Sequence, residues 1–293
     1  MKNYLLLIAS SVIIFTSCKD NNEANKAAME NEKQQSAGIV INKDHVVSGF
    51  SLTVAEGKRL IAKGIAIHPL IQQKLKSGMI IITRGSTNTY IAEELMGLKA
   101  LHGQFITGHI SRKPVEVEGE KVSDIIIIDG KVTDITFNEA VGSIKKDDII
   151  FKGGNLLNYE KKQVAVTIGG PDGGTVARIQ PYTAEGPGRL IVPIGLEKEV
   201  HGDLSDYEKA LSQDITKKGF VPRLIVHKNA EIFTEIEAVK LFGNVNVIPY
   251  ASGGIAGSEG GISLAVYGPP AEVEKVMTII SEIQGEPPFV EIQ

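Results

Sequence analysis

The sequence predicts an α/β fold in which a mostly parallel β-sheet lies between helices on both of its faces. Apolar runs rich in isoleucine and valine recur along the chain, and they are continuous rather than alternating, as is typical of strands buried on both faces. Several runs end directly in glycine-rich or polar turns. The runs occupy residues 79–83, 124–129, 147–154, 164–170, 189–195, 223–227, 245–250 and 262–268.

Helical patterns precede and separate these runs. Residues 54–64 and 68–78 come before the first run, and each pattern closes at a glycine, which suits the position after a helix end. A later pattern begins at Ser205, a typical N-cap, with Glu208 at the spacing of a capping box. Residues 270–285 begin with proline and end with glycine. Together with the last two apolar runs, this final helix favours a small C-terminal β-α subdomain.

The N-terminus carries a targeting signal. Residues 4–15 are a largely apolar stretch behind Lys2, and they are too few to span about 30 Å of hydrocarbon. The stretch leads into the sequence FTSC, in which Cys18 is the only cysteine of the chain. This boundary resembles the lipobox of bacterial lipoproteins, which implies cleavage before Cys18 and acylation of that residue. A plain secretory signal followed by an unrelated cysteine is the alternative.

Three segments follow from this interpretation. We expect a signal peptide over residues 1–17, a lipidated cysteine with a flexible tether over residues 18–44, and the α/β domain over residues 45–293. The tether is polar and amide-rich, so it cannot bury enough apolar surface to order itself. Its start, CKDNNE, resembles the surface-export signal of lipoproteins in some Gram-negative groups. The expected location is the cell envelope, on the extracytoplasmic side of a membrane that holds the lipid anchor.

The overall charge argues against a nucleic-acid partner. The chain has 31 basic and 35 acidic residues, a formal net charge of −4, no block of like charge and no tryptophan. Nucleic-acid binders present a basic surface or aromatic stacking platforms, and neither pattern is present in the sequence. An anionic ligand would therefore need a local site.

A polar turn, TRGST at residues 83–87, follows the first apolar run and begins a helical pattern. Gly85, Ser86 and Thr87 are then expected at a helix N-terminus, where free N–H groups and the helix dipole favour an anion. Arg84 would add a cation, and Asn88 begins the periodic pattern. Serine, threonine and asparagine are also common N-caps, so a simple helix cap is the alternative.

Charged residues follow three further runs. Asp129 ends the run DIIIID, where it would face the mouth of a parallel sheet unless Asp-Gly only forms a turn. Lys152 precedes a Gly-Gly turn that permits a close approach of the backbone to a ligand, with Glu160 in the stretch behind it. Lys198 comes just after the run at 189–195.

These four stretches, taken in order, resemble ribose-5-phosphate isomerase of the common type. They also resemble the wider fold that this isomerase shares with sugar-responsive repressor sensors and CoA transferases, which is Rossmann-like. TRGST resembles the isomerase phosphate loop GTGST, and KGGNLLNYEK at 152–161 resembles KGGGGALLREK. The leading DG of DGADE falls on Asp129 and Gly130, and DESKLV resembles GLEKEV at 195–200 in Lys198 and Val200.

The resemblance implies a catalytic set. Glu160 would be the general base that moves a proton between adjacent carbons, with Asp129 beside it and Lys152 and Lys198 stabilising the enediolate. The expected extracytoplasmic location argues against a pentose phosphate as the substrate. Three functions therefore stay open: a tethered protein that binds a small anionic or sugar-like ligand, an enzyme that uses Glu160, and a scaffold for a protein partner.

Neither a metal nor a cofactor is expected. The six histidines are scattered, and His102 and His109 are seven residues apart in a stretch that does not favour a helix. Metal sites require closely spaced ligand sets, and a GxSxG nucleophile turn is also missing from the sequence. The oligomeric state does not follow from the sequence.

Overall fold

The computed structural model describes residues 41–98, 102–108, 119–170, 172–219 and 221–290. The predicted signal peptide, Cys18 and most of the predicted tether lie outside these residues, as does His109. Residues from Asp44 to Gln293 belong to one compact unit. Within the described part of the chain, no helix combines the length and the apolar character that a membrane crossing requires.

Strands and helices alternate through much of this unit. The described strands are β1 (Val46–Leu52), β2 (Met79–Ile82), β3 (Ile125–Ile128), β4 (Lys131–Thr133), β5 (Ile149–Phe151), β6 (Leu156–Asn158), β7 (Gln163–Ile168), β8 (Arg189–Pro193), β9 (Arg223–Val226), β10 (Ala230–Phe233), β11 (Asn246–Ser252) and β12 (Ile262–Gly268). The described helices are α1 (Val54–Ile67), α2 (Pro69–Lys76), α3 (Ser86–Met96), α4 (Phe137–Gly142), α5 (Gly174–Thr183), α6 (Leu204–Ser212), α7 (Glu235–Phe242) and α8 (Pro270–Ile283).

The central sheet is mixed. Its strand order is β10-β8-β5-β2-β3-β4, and β10, β8, β5 and β2 are parallel to one another. Strands β3 and β4 are antiparallel to their neighbours. Asp129 and Gly130 join them in a two-residue turn in which both have positive φ, at 48° and 77°. Asp-Gly favours this kind of hairpin turn, which reverses the chain and places β4 as the antiparallel edge strand beside β3.

Two smaller antiparallel sheets accompany the central one. One has the order β1-β12-β11 and the other has the order β6-β7-β9. The prediction of an α/β fold is confirmed, and the prediction of a mostly parallel sheet holds only in part. Four strands of the central sheet are parallel, whereas its other two strands and both smaller sheets are antiparallel. The apolar runs at 164–170, 223–227, 245–250 and 262–268 belong to these antiparallel sheets, because continuous apolar character reports burial and does not report strand direction.

The C-terminal elements do not form a separate subdomain. Strand β12 pairs with β1 from the start of the unit, and Leu264 and Val266 of β12 share one hydrophobic core with Ile80 and Ile81 of the central sheet. The last helix also contributes to this core, through Val273, Val276 and Ile280. The prediction of a C-terminal β-α subdomain is therefore wrong.

Helix α1 packs closely against α7 because glycines face that helix. A Cβ atom added at Gly64 would lie 2.7 Å from the Cβ of Ala238, and one added at Gly57 would lie 2.7 Å from Oε1 of Glu235. Helix α7 begins with a capping box in which the Thr234 hydroxyl accepts the Ile236 N–H and Glu237 accepts the Thr234 N–H. This packing brings the N-terminal half of α1 to the edge of the sheet where β10 ends.

The N-cap predicted at Ser205 lies two residues earlier, at Asp203, and the predicted capping box with Glu208 is wrong. Helix α6 begins at Leu204, and Asp203 is its N-cap, with Oδ1 accepting the Ser205 N–H at 2.9 Å. Aspartate and serine are comparable N-caps, so the adjacent polar residues gave no basis for preferring one over the other.

Candidate anion-binding site at the strand ends

Four parallel strands bring four loops to one edge of the central sheet. The loops start at Thr83 after β2, at Lys152 after β5, at Ile194 after β8 and at Thr234 after β10. Asp124 lies at the same edge, because β3 runs in the opposite direction and begins beside the end of β2. In open α/β sheets, the carboxyl ends of parallel strands are the usual location of a ligand.

Two lysine amines lie against consecutive carbonyls of one turn. Lys152 Nζ donates to the Gly153 carbonyl at 3.2 Å, and Lys198 Nζ donates to the Gly154 carbonyl at 3.0 Å. Both side chains are partly buried. The two amines are neighbours, because the charge of Lys198 acts on Lys152. The predicted residues Lys152 and Lys198 are therefore brought together by the fold.

Lys58 of α1 is the third amine of this lysine cluster. It lies close enough to Lys198 for the charge of Lys198 to lower the pKa of Lys58, and its Nζ is 5.6 Å from the centroid of the Phe289 ring. None of the three lysines forms an ion pair within 4.0 Å with any residue in the described ranges. The cluster of Lys58, Lys152 and Lys198 therefore holds positive charge without a directly bonded carboxylate.

Burial and repulsion by Lys198 change the protonation of Lys58 and Lys152. Burial, followed by the charge of Lys198, lowers the pKa of Lys152 to about 8, and Asp124 opposes this shift. The same two causes lower the pKa of Lys58 to about 8, against the raising effect of Glu197 and Glu235. Each amine is thus predominantly charged at neutral pH but is easily deprotonated.

Glu235 is the buried carboxylate next to the lysine cluster. Its side chain is 2% exposed, and Oε2 accepts the Leu196 N–H at 2.9 Å. Burial raises the pKa of Glu235 to about 8, with Glu197 adding to the effect and Lys198 opposing it. Gly57 leaves the space that the carboxylate occupies.

The polar turn before α3 is not closed by a side-chain cap. Gly85 is the N-cap with extended backbone, and none of the described side chains accepts a hydrogen bond from the first turn. Asn88 points inward, where Nδ2 donates to the Thr83 carbonyl at 2.7 Å and to the Phe151 carbonyl at 3.2 Å. The Thr89 hydroxyl donates to the Gly85 carbonyl. Asn88 therefore joins the ends of β2 and β5.

The same turn is connected to the lysine cluster through Asp124. Oδ1 of Asp124 accepts the Arg84 backbone N–H at 2.8 Å, and the Arg84 guanidinium is 3.8 Å from the same oxygen. Asp124 also raises the pKa of Lys152. Ser86, Thr87 and the α3 N-terminus thus belong to the same edge as the lysine cluster.

Asp129 and Glu160 are not at this edge. Asp129 follows β3, which is antiparallel to β2, so it lies at the opposite edge and accepts the Gly78 N–H at 2.8 Å. Glu160 is exposed in the turn between β6 and β7, which belong to a different sheet. The predicted convergence of Asp129 and Glu160 with the two lysines is therefore wrong, and the turn-forming alternative holds for Asp129.

Sequence reasoning did not find Lys58, Asp124, His227 and Glu235. His227 follows β9, and its Nε2 is buried without a hydrogen-bond partner among the described residues. Burial, followed by the charge of Lys152, lowers the pKa of His227 to about 4, so the imidazole is neutral. The glycines at 57 and 64 were an available signal, because glycines seven residues apart in a helix mark a face that another element approaches closely.

Two other features lie apart from the lysine cluster. A cleft of about 410 Å³ lies between the β6-β7-β9 sheet and α6, with Leu156, Tyr207, Leu211 and Leu224 among its lining residues. It is predominantly apolar and contains no titratable group of the cluster. Over the described ranges, no group of three histidine, cysteine, aspartate or glutamate side chains has a geometry that could hold a metal ion.

Comparison with known proteins identifies no relative. Neither the models of protein families, nor the curated proteins, nor the solved structures contain a match to this chain.

Proposed function

We propose that this protein binds a small anionic ligand, such as a carboxylate or a phosphate, at the lysine cluster. The observation that carries the proposal is the convergence of Lys58, Lys152 and Lys198 with no ion pair to any of them in the described part of the chain. Like charges held together in a partly buried site destabilise a fold unless an opposite charge joins them. A bound anion supplies that charge.

The surroundings of the cluster support an anion rather than a neutral ligand. The N-terminus of α3 lies at the same edge without a side-chain cap, so its N–H groups add positive potential. Glu197 and Glu235 remain farther than 4.0 Å from the amines, and Glu235 is kept partly protonated by burial. The net local charge is therefore positive at neutral pH, although the whole chain is acidic.

The isomerase-like fold remains part of the proposal. TRGST, Lys152 and Lys198 follow strands at one edge, in the order that the resemblance implies, and this supports a common architecture. The enzyme in which Glu160 is the general base receives no support, because Glu160 is exposed in the β6-β7 turn. No feature of the described residues supports a scaffold for a protein partner as directly as the lysine cluster supports anion binding.

Thermal unfolding in the presence of anions tests the proposal. Phosphate, sulfate, acetate and pyruvate should raise the melting temperature, and more so the tighter they bind, because a ligand at about 100 times its Kd adds about 2.7 kcal/mol. Lys152→Met and Lys198→Met should lose this response, and Lys131→Met on the exposed strand β4 should keep it. Equal responses in all three variants, or no response in the wild type at constant ionic strength, would contradict the proposal.

We further propose that a lipid on Cys18 tethers this site outside the cytoplasmic membrane. The proposal is supported by the FTSC boundary and by the absence of any other cysteine in the chain. Several acyl chains on one residue bind membranes firmly, at about 0.8 kcal/mol per buried CH₂. Labelled palmitate should enter the wild-type chain and should not enter Cys18→Ala. Palmitate in both, or in neither, would contradict it.

A further inference from the structure

We infer that Lys152 is a nucleophile that forms an imine with the carbonyl carbon of a 2-oxo acid bound at the lysine cluster. The inference rests on the proposed function, since it requires the carboxylate of the ligand to occupy the cluster. It adds a covalent step and a chemical class of ligand.

The two amines beside the Gly153–Gly154 turn can contact one small ligand. Lys152 and Lys198 donate to the carbonyls of consecutive residues, at 3.2 Å and 3.0 Å, and the charge of Lys198 acts on Lys152. A ligand that brings a carboxylate to Lys198 and an electrophilic carbon to Lys152 carries an anionic group close to a carbonyl carbon. A 2-oxo acid is the smallest ligand with this arrangement.

Lys152 has the environment of a nucleophilic amine. It is partly buried, it forms no ion pair among the described residues, and a second ammonium group lies beside it. Burial and Lys198 lower the pKa of Lys152 to about 8, so about a tenth of it is neutral at pH 7, against about one in three thousand for an ordinary lysine. Desolvation beside another cation is a known way to activate lysine for imine formation.

The neutral form of the Lys152 amine is the reacting species, and the proton of its ammonium leaves to solvent. The neutral amine attacks the carbonyl carbon to form a carbinolamine. The carbinolamine hydroxyl then leaves as water with a proton from solvent, and a protonated imine remains. The buried imidazole of His227 is neutral near Lys152, so it adds no positive charge that would oppose the protonated imine. The net change is ammonium plus carbonyl to protonated imine plus water, with no oxidation or reduction.

Reductive trapping with pyruvate as the probe tests the inference. The full chain is incubated with pyruvate and cyanoborohydride at pH 7, and the modified lysines are identified by mass spectrometry of peptides. We expect modification at Lys152 at least tenfold faster than at the exposed Lys131, and no modification at that position in Lys152→Met. Lys198→Met should slow the labelling of Lys152 about tenfold, because the carboxylate is no longer held.

Two control ligands test the carbonyl and the carboxylate of pyruvate separately. Acetone has the carbonyl without the carboxylate and should label Lys152 at least tenfold more slowly than pyruvate does. Acetate has the carboxylate without the carbonyl and should slow labelling by pyruvate through competition. Folding of each variant is checked by circular dichroism and by its melting temperature, and Lys152→Met with a native spectrum excludes a general loss of structure.

The outcomes distinguish the inference from the proposed function. If pyruvate raises the melting temperature but the adduct is missing or is spread evenly over exposed lysines, the imine is ruled out and anion binding stands. If none of the tested anions stabilises the protein and pyruvate does not label it, both are ruled out. Labelling that is selective for Lys152 but unaffected by Lys198→Met and equally fast with acetone would overturn the assignment to 2-oxo acids.

Discussion

Two neighbouring residues of α1, Lys58 and Arg59, have opposite electrostatic environments. Arg59 donates to Glu93 at 2.7 Å, to Glu94 at 3.0 Å and to Glu286 at 3.0 Å. Burial alone would lower the pKa of Arg59, but hydrogen bonds and charge interactions with Glu286 and Glu93 raise it above its ordinary value. Lys58 lies in a cluster of like charge and has its pKa lowered.

The difference separates a structural charge from a charge available to a ligand. The Arg59 network joins α1, α3 and the segment after α8, and all of its side chains are less than 25% exposed. Each carboxylate there already has a cation. The lysine cluster offers cations that have only carbonyl, aromatic or distant carboxylate neighbours. Helix α1 thus stabilises the fold through Arg59 and presents the neighbouring Lys58 to the candidate site.

The largest expected effect comes from breaking the Arg59 network. Arg59→Met leaves three carboxylates close together without their cation, so we expect a loss of about 3 kcal/mol in the free energy of unfolding, measured by urea denaturation. The matched control is Arg189→Met, which removes an exposed bidentate pair with Glu231 and should cost less than about 1 kcal/mol. Equal losses in the two variants would show that the burial of an ion pair does not determine how much it contributes to the free energy of unfolding.

Removal of a charge from the lysine cluster should have the opposite sign. Lys152→Met should stabilise the ligand-free protein by about 2 kcal/mol at pH 7, because it removes a partly buried charge beside Lys198. The folded-state pKa of about 8 lies below the ordinary 10.5. The penalty is therefore complete below pH 8 and disappears as the pH rises to 10.5. Urea denaturation at pH 7 and pH 10 measures it, and a variant less stable than wild type at pH 7 would contradict the prediction.

Anion affinity should depend on the same protonation. Above pH 8, Lys58 and Lys152 are mostly neutral, so one of them must take up a proton when an anion binds. The affinity for sulfate should therefore fall about tenfold between pH 7 and pH 9 for each lysine that titrates. Sulfate keeps its charge over this range. Calorimetry in two buffers with different ionisation enthalpies should detect proton uptake at pH 8.5. A constant affinity would indicate that the anion does not contact these amines.

The smallest effect is expected at Glu160. Glu160→Gln changes an exposed side chain in the β6-β7 turn and should alter the free energy of unfolding by less than about 0.5 kcal/mol. Sulfate binding should also be unchanged. A loss of sulfate binding in this variant would bring Glu160 back into the site and would favour the arrangement that the isomerase resemblance implies.

The sequence contained enough information for the strands and for two of the three lysines. Apolar runs identified the buried strands, and the Gly-Gly turn after β5 identified Lys152. Strand direction was not predictable from those runs, and it decides where Asp129 lies. A residue at the end of an antiparallel strand is at the opposite edge from one at the end of a parallel strand, although both follow the same kind of run.

Lys58 and Glu235 could not be assigned for a different reason. Each is a charged residue in the first turns of an amphipathic helix, where charged residues are common on the solvent-facing side. Their burial comes from the close packing of α1 and α7, which requires contacts between residues about 180 positions apart. The only local signs of that packing in the sequence are Gly57 and Gly64, which are small residues within a helix.

The Gly153–Gly154 turn connects two cationic side chains to one loop of the main chain. Lys152 and Lys198 each donate to a carbonyl of this turn, so a change in its backbone conformation would move the anchoring points of both amines together. Variation of this loop by single residues is therefore a way to alter the ligand selectivity of the lysine cluster without removing any charge.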